Sequence, residues 1–206
     1  MKVLVVGGLT KDVIRRKGIL RRPGGGAFYC SIAAARMGAD VELWTVLGRD
    51  FPREDLLRIE NEGIRVVPVK STTSIGFVNE IDDSGHRRQW VSSIADGVID
   101  RPLDRIDRFD YIQITPVLGE VGLGLISNMP SELTGIEVQG FVRRREVGPV
   151  KMILRPRMDE LLRRRLLIHL SEEELFYFTS SSLSDEIRRY STRAIALTRS
   201  AKGSFV

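Results

Sequence analysis

The 206-residue chain is most informative where it is poor. It has a single cysteine, Cys30. That excludes an internal disulfide framework and suits a reducing compartment, so a cytoplasmic setting is expected. Cys30 itself reads as a small buried hydrophobe. The two histidines, His86 and His169, have no metal-ligating partner at useful spacing. No apolar run approaches the roughly 20 residues that cross a bilayer, so no membrane partner is expected. Met1 leads straight into the strand-like KVLVVGG, without the pattern of a signal peptide. No G-x-x-x-x-G-K-[ST] sequence occurs, which excludes a P-loop.

Charge of one sign is also scarce in dense form. The formal net charge is +5, and arginine outnumbers lysine by 26 to 6. Acids lie among the basic residues, and only Arg143-Arg144-Arg145 and Arg163-Arg164-Arg165 form runs of three arginines. A solvated face or an anion-handling rim accounts for these, so no nucleic-acid partner is expected. Hydrophobic content of 42% and charged content of 29% fit a soluble globular domain. A chain of this length buries a full core within one domain.

What is present follows an α/β rhythm. Residues 3–6 form an apolar run closed by Gly7-Gly8, the pattern of a buried strand. Gly24-Gly25-Gly26 opens into small and apolar residues that predict a helix over 27–37, ending at Gly38. A strand is predicted over 41–47, and Gly48-Arg49-Asp50 follows it. Residues 53–62 predict a short helix with Leu56, Leu57 and Ile59 inward and Gly63 as its stop. Residues 65–69 return as a strand. Alternating strands and helices imply a mainly parallel sheet. Residues 74–93 alternate in polarity about the turn Asp82-Asp83-Ser84-Gly85, which predicts a β-hairpin that extends the sheet or covers a site. Further strands are predicted within 110–115, 133–142, 166–170 and 194–198, and Ser204-Phe205-Val206 reads as the start of another.

The glycine triplet carries the chemistry. Glycines before a helix let the backbone approach a bound group closely. The helix start beyond them offers unpaired N–H groups to hydroxyls or anions. Asp12, just past the first strand, either caps a turn or accepts hydroxyl donors, two at once. Ser171-Glu172-Glu173-Glu174 fits a capping box.

The whole register of residues 23–50, PGGGAFYCSIAAARMGADVELWTVLGRD, resembles the N-terminal signature of the ribokinase-like (PfkB) carbohydrate kinases. The resemblance implies a ribokinase-like three-layer α/β fold: a mainly parallel sheet flanked by helices, in a single domain over 1–206 with a lid hairpin at about 74–93. The implied activity is ATP- and magnesium-dependent phosphorylation of a hydroxyl on a small polyhydroxylated substrate (a sugar, polyol or nucleoside). Gly7-Gly8-Leu9-Thr10-Lys11-Asp12 is similar to the family's G-x-x-N-x-D, with Thr10 at the asparagine and Asp12 as the hydroxyl-gripping aspartate. Gly24 and Gly25 match the paired glycines below the sugar. Tyr29 stands where many members carry asparagine; it implies an altered pocket, unless it is a core aromatic. Asn79 to Arg87 resembles the family's lid, with an ordinary surface hairpin as the alternative.

Toward the nucleotide, Ser171-x-x-Glu174 is similar to the family's N-x-x-E, whose glutamate orders magnesium-bound water; the capping box explains the same residues without a metal. Thr198 to Gly203 resembles the T-x-G-x-x-G turn bordering ATP, with Ser200 replacing a glycine. Glu137 to Arg143 resembles a D-x-Q-G-F-x-R segment and is read as structural support. The family's G-A-G-D segment, which supplies the catalytic base, does not occur. Without it, phosphoryl transfer by this chain alone is expected to be negligible. The chain thus reads as the front portion of a C-terminally truncated kinase. The alternative is a natural short form that binds a polyol or a partner without catalysis. A homodimer through the lid or an exposed sheet edge is expected.

Overall fold

The computed structural model describes residues 1–100, 106–154, 161, 164–179 and 193–206; Arg163 of the second arginine triplet lies outside them. The first strand, β1 (Lys2–Val6), is buried on both faces. Val3 and Val5 join one apolar cluster, Leu4 and Val6 another, which is why the run shows no alternation.

Beyond Gly7-Gly8 the chain forms an antiparallel hairpin, β2 (Thr10–Arg15) and β3 (Ile19–Gly24), turning through Lys17 at φ 49°. There follow α1 (Gly26–Arg36), β4 (Asp40–Gly48), α2 (Arg53–Asn61) and β5 (Arg65–Ser71). A second hairpin comprises β6 (Ile75–Ile81) and β7 (Arg87–Ser93). Then come β8 (Tyr111–Ile114), α3 (Leu123–Ser127), β9 (Thr134–Glu137), the single-turn α4 (Gln139–Val142) and the two-residue β10 (Gly148–Pro149). The series closes with β11 (Leu167–Ser171), α5 (Glu172–Thr179), β12 (Ala194–Thr198) and β13 (Ser204–Phe205).

Eight strands make the central sheet, in the order β13-β12-β11-β9-β8-β1-β4-β5. Every neighbouring pair is parallel except β12–β13. Helices α1 and α2 cover the Val3/Val5 face through Ala27 and Ile59, joined by Phe51 from the loop before α2. Small residues let α1 lie close to the sheet, and the buried Ser31 hydroxyl donates to the Ala27 carbonyl at 2.7 Å.

A second sheet, β10-β7-β6-β2-β3, covers the first strands from the other side. Its Ile75, Phe77 and Val91 enter the same cluster as Leu4, Val6, Ile112 and Ile114. The predicted hairpin at 74–93 is therefore half of a larger layer, joined through the parallel β2–β6 pair. The β2–β3 hairpin was not foreseen. Its residues Lys11 to Pro23 carry so many arginines and lysines that no alternation shows, because β3 is an edge strand with Ile19 and Leu20 exposed. In α2, Ile59 is buried as expected, but Leu57 is 45% exposed and Asp55 is buried instead. Among the described residues no helix is long and apolar enough to cross a membrane.

Candidate functional site

Asp12 is the third residue of β2, so it lies within a strand rather than capping a turn. The Thr10 hydroxyl donates to Asp12 Oδ1 at 2.7 Å and fixes the carboxylate. Gly24 pairs with Thr10 across the hairpin. A Cβ on Gly24 would lie 2.3 Å from Asp12 Oδ2, so glycine is what leaves that oxygen its place. The next two glycines serve other approaches. Gly25 is at φ 89°, and its Cβ would lie 2.3 Å from the Gly8 carbonyl oxygen. Gly26 opens α1, and its Cβ would lie 1.8 Å from Thr115 Oγ1. The triplet is thus the point where β2, the turn after β1 and the end of β8 converge on one helix start. No side chain caps that start, so its first N–H groups are offered outward.

The charges around Asp12 are asymmetric. Burial raises its pKa above the ordinary aspartate value, against the Thr10 hydrogen bond and the guanidinium groups of Arg22, Arg87 and Arg143. Behind it, the fully buried Glu120 accepts the backbone N–H groups of Gly8 (2.7 Å), Val117 (2.8 Å) and Leu118 (2.8 Å). Burial still raises its pKa despite those bonds. Glu120 therefore pins the turn after β1 to the loop after β8. At the next strand end, the Thr115 hydroxyl donates to Glu137. Burial, reinforced by the Glu137 charge, pushes the nearby Cys30 thiol up to about 12.

The second sheet is hinged on Gly48-Arg49-Asp50. Asp50 Oδ1 accepts the Ser74 N–H at 2.7 Å, and its carboxylate pairs with Lys11. The Gly48 N–H donates to Ser74 Oγ at 3.0 Å. A Cβ on Gly48 would lie 2.2 Å from Ser74 N, so the strand end and the hinge touch backbone to backbone. Burial acts to raise the Asp50 pKa, but the bonds from Lys11 and Ser74 outweigh it and hold it below the ordinary value.

A second group of expected residues sits at the ends of β11 and β12. Ser171 pairs with Thr198 in register. The capping box forms: the Ser171 N–H donates to Glu174 Oε2 at 2.8 Å, and the Glu174 N–H donates to Ser171 Oγ at 3.2 Å. Thr198 leads into a tight turn in which Ser200 is at φ 52° and Gly203 at φ 92°. This group lies at the carboxyl ends of central strands, where ligands of open α/β sheets bind, and the glycine triplet meets the central sheet at the ends of β1 and β8. Strands β9 and β8 separate this second group from β1.

No protein-family model matches the chain, and no curated protein matches it significantly in sequence. Solved structures do match. A pyrophosphate-dependent kinase in the ribokinase family, in a sulfate complex, superposes with a TM-score of 0.75 at 22% identity, over 96% of this chain and 73% of that one. A pyrophosphate-dependent kinase of the same family, with a pyrophosphate analog and myo-inositol, gives 0.76 at 20% identity, over 96% and 72%. Ribokinase from Cryptococcus neoformans var. grubii with ADP gives 0.71 at 19% identity, over 98% and 74%. The fold is ribokinase-like.

Within this ribokinase-like fold, Thr10, Asp12, Gly24 and Gly25 are brought together as one unit, and Ser171, Glu174, Thr198, Ser200 and Gly203 as another. Tyr29 is different. It stands on α1, 49% exposed and edge-to-face with Phe28 at 5.1 Å between ring centres, so it is not a core aromatic. Among the described residues no group of three or more His, Cys, Asp or Glu could hold a metal ion directly. The Oε2 oxygen of Glu174 is engaged by its own helix start. Three contributors escaped the sequence reading: Glu120, the Lys11–Asp50 hinge, and Arg143. Lys11, Asp50 and Arg143 stand in segments singled out above for other reasons, and the burial of Glu120 and Arg143 has no local sequence signal.

Proposed function

We propose that the chain carries the acceptor site of a ribokinase-type phosphotransferase, and that it binds a small polyhydroxylated molecule (a polyol such as an inositol, a sugar or a nucleoside) at Asp12. The observation that supports this most is the Asp12 carboxylate. It is oriented by Thr10 and given room by Gly24, two residues before the uncapped start of α1. An ionised carboxylate accepts two hydroxyl donors, and each such bond is stronger than one between neutral groups. In this reading the hairpin β6–β7, whose start is bonded at Ser74 to Gly48 and Asp50, would serve as the lid that keeps water from the site.

The donor side of the reading is a polyphosphate bordered by Ser171, Thr198, Ser200 and Gly203. Magnesium, when bound, neutralises phosphate charge, and Glu174 would hold it from this chain only through ordered water. The residues of this chain bind and orient both groups. None supplies the proton-accepting role at the acceptor hydroxyl, since the sequence contains no G-A-G-D segment. Turnover by this chain alone is therefore expected to be negligible, and the reading is tested by binding. Calorimetric titration with myo-inositol, ribose and a nucleoside should find one of them binding to the wild type and weakened by about 10–150-fold in D12N, the equivalent of about 1.5–3 kcal/mol for a lost charged hydrogen bond. Equal affinity of D12N for every ligand that binds would refute it. An assay with ATP and with pyrophosphate separates kinase from binding module: any turnover abolished by D12N argues for the former.

A further inference from the structure

Arg143 is a buried cation that the acceptor site does not account for. It ends α4, and its backbone is held on both sides: an antiparallel bridge joins it to Met152, and the Ile153 N–H donates to Val142 O at 2.7 Å. The side chain is 7% exposed and runs between the Phe77 ring, 5.7 Å from the guanidinium carbon, and the Val117 carbonyl, which accepts from Nη1 at 3.5 Å. Phe77 is the register partner of Asp12 on the parallel strands β2 and β6, and both side chains stand on one face of the second sheet. Arg143 therefore lies beside the acceptor carboxylate. On its other side α4 packs against α5, whose first turn carries Glu172, Glu173 and Glu174.

The guanidinium is used from one side only. Among the described residues its single hydrogen bond is the long one from Nη1, and the buried Nε has no partner. No carboxylate lies within ion-pair distance of it among the described residues; Glu174, the nearest in charge effect, gives one oxygen to the Ser171 N–H. Burial lowers the Arg143 pKa to about 10, which still leaves the group charged at neutral pH. The Nε–Nη2 edge is the one that grips a two-oxygen anion side-on, as Arg36 grips Glu62 through these same atoms elsewhere in the chain. A buried, charged fork with that edge unoccupied is costly unless an anion completes it.

We propose that the Nε–Nη2 edge of Arg143 is the receptor for a phosphate group of the donor, held between Asp12 and the start of α5. This inference rests on the acceptor-site reading for its direction, from donor to acceptor. The anion itself is identified by the fork, by the buried positive charge and by the neighbouring Arg87. Arginine suits the place because a lysine at the same position would present a point charge without the two parallel donors.

The test uses inorganic pyrophosphate and myo-inositol as separate probes, titrated calorimetrically into the wild-type chain, R143K and R143M. Pyrophosphate affinity should fall by about tenfold or more in both variants, and by a larger factor than any change in myo-inositol affinity. Undiminished pyrophosphate binding by R143M, or no binding by the wild type at about 10 mM, overturns the proposal. A measurement on the wild type alone guards against a variant that fails to fold. The Arg143 Nε–H resonance should shift on adding pyrophosphate while that of Arg164, already bonded to Ser131 at 3.2 Å, stays fixed; an unmoved Arg143 signal overturns the proposal equally. If pyrophosphate binding depends on Arg143 but no polyhydroxylated ligand binds, the acceptor reading fails and the anion site stands. If polyols bind through Asp12 and Arg143 is indifferent, only the present inference fails.

Discussion

Replacing Gly25 by alanine should be among the most damaging single-methyl additions to this chain, and Gly38 supplies its control. Both glycines hold positive φ, 89° and 87°. An alanine pays about 1–2 kcal/mol for the left-handed region, and about 1–3 kcal/mol where the backbone enters the glycine-only region, as at Gly25 with ψ 154°. The two sites differ in space. A Cβ on Gly38 meets nothing within 4 Å, whereas one on Gly25 lies 2.3 Å from the Gly8 carbonyl oxygen. That oxygen belongs to the turn whose N–H is locked to the buried Glu120, so it cannot retreat without breaking a charged hydrogen bond. Overpacking of this kind adds about 1–3 kcal/mol. G25A should therefore lose about 2–6 kcal/mol, and G38A about 1–2 kcal/mol. Urea unfolding of both variants measures the difference directly, and a loss of 4 kcal/mol corresponds to a Tm fall of about 8–16 °C in a chain of this size. If G25A loses no more stability than G38A, the triplet is not a steric junction and the placement of Asp12 loses its support.

Other perturbations reach other parts of the site. Ligand affinity through Asp12 should fall on acidification with a midpoint above the ordinary aspartate value, since burial favours the neutral acid and only the ionised form accepts two hydroxyls; a midpoint at or below the ordinary aspartate value would exclude Asp12 as the grip. Cys30 should react with iodoacetamide about 10³-fold more slowly in the native chain at pH 8 than in urea, from its shift to about 12, and comparable rates would show that α1 does not shield it. D50N should speed hydrogen exchange of the Ser74 amide by about tenfold or more. Because Asp50 is held below its ordinary value, the hinge should persist as pH falls through the normal aspartate range and fail only below it. S200G should raise stability by up to about 1 kcal/mol by relieving φ 52°, net of the added freedom of the unfolded chain; a loss would mean that the Ser200 side chain is needed there.

The sequence announced the central layer and concealed the second. Buried parallel strands such as β1 and β4 are continuous apolar runs, and Gly38 and Gly63 mark helix ends at φ 87° and 81°, so their pattern is local. The hairpin β2–β3 escaped because an edge strand has no inner face to impose alternation. Arg21 and Arg22 are exposed on it, and its one diagnostic residue, Lys17 at φ 49°, is not glycine. The acceptor grip was legible through Asp12 and the glycines, which are close in sequence. Glu120 and Arg143 were not, because what makes each unusual is burial by residues far along the chain. Gly8 lies 112 positions from the carboxylate that receives its N–H. The capping box at Ser171 and Glu174 was readable because all its partners are three residues apart.

The position of β1 has a consequence for how the chain assembles. It precedes the other described strands in the chain, yet it sits in the interior of the central sheet, with Val3 beside Val41 on one flank and Tyr111 on the other. Both unions are parallel, so neither can start from a tight turn. The hairpins β2–β3 and β6–β7 can close early, on the microsecond scale of local structure. The sheet between them must wait for residues far downstream, and long-range parallel pairing of this kind is slow. Until β8 arrives, one edge of β1 stands open beside an apolar face, and that interval is where a nascent chain is most exposed to aggregation.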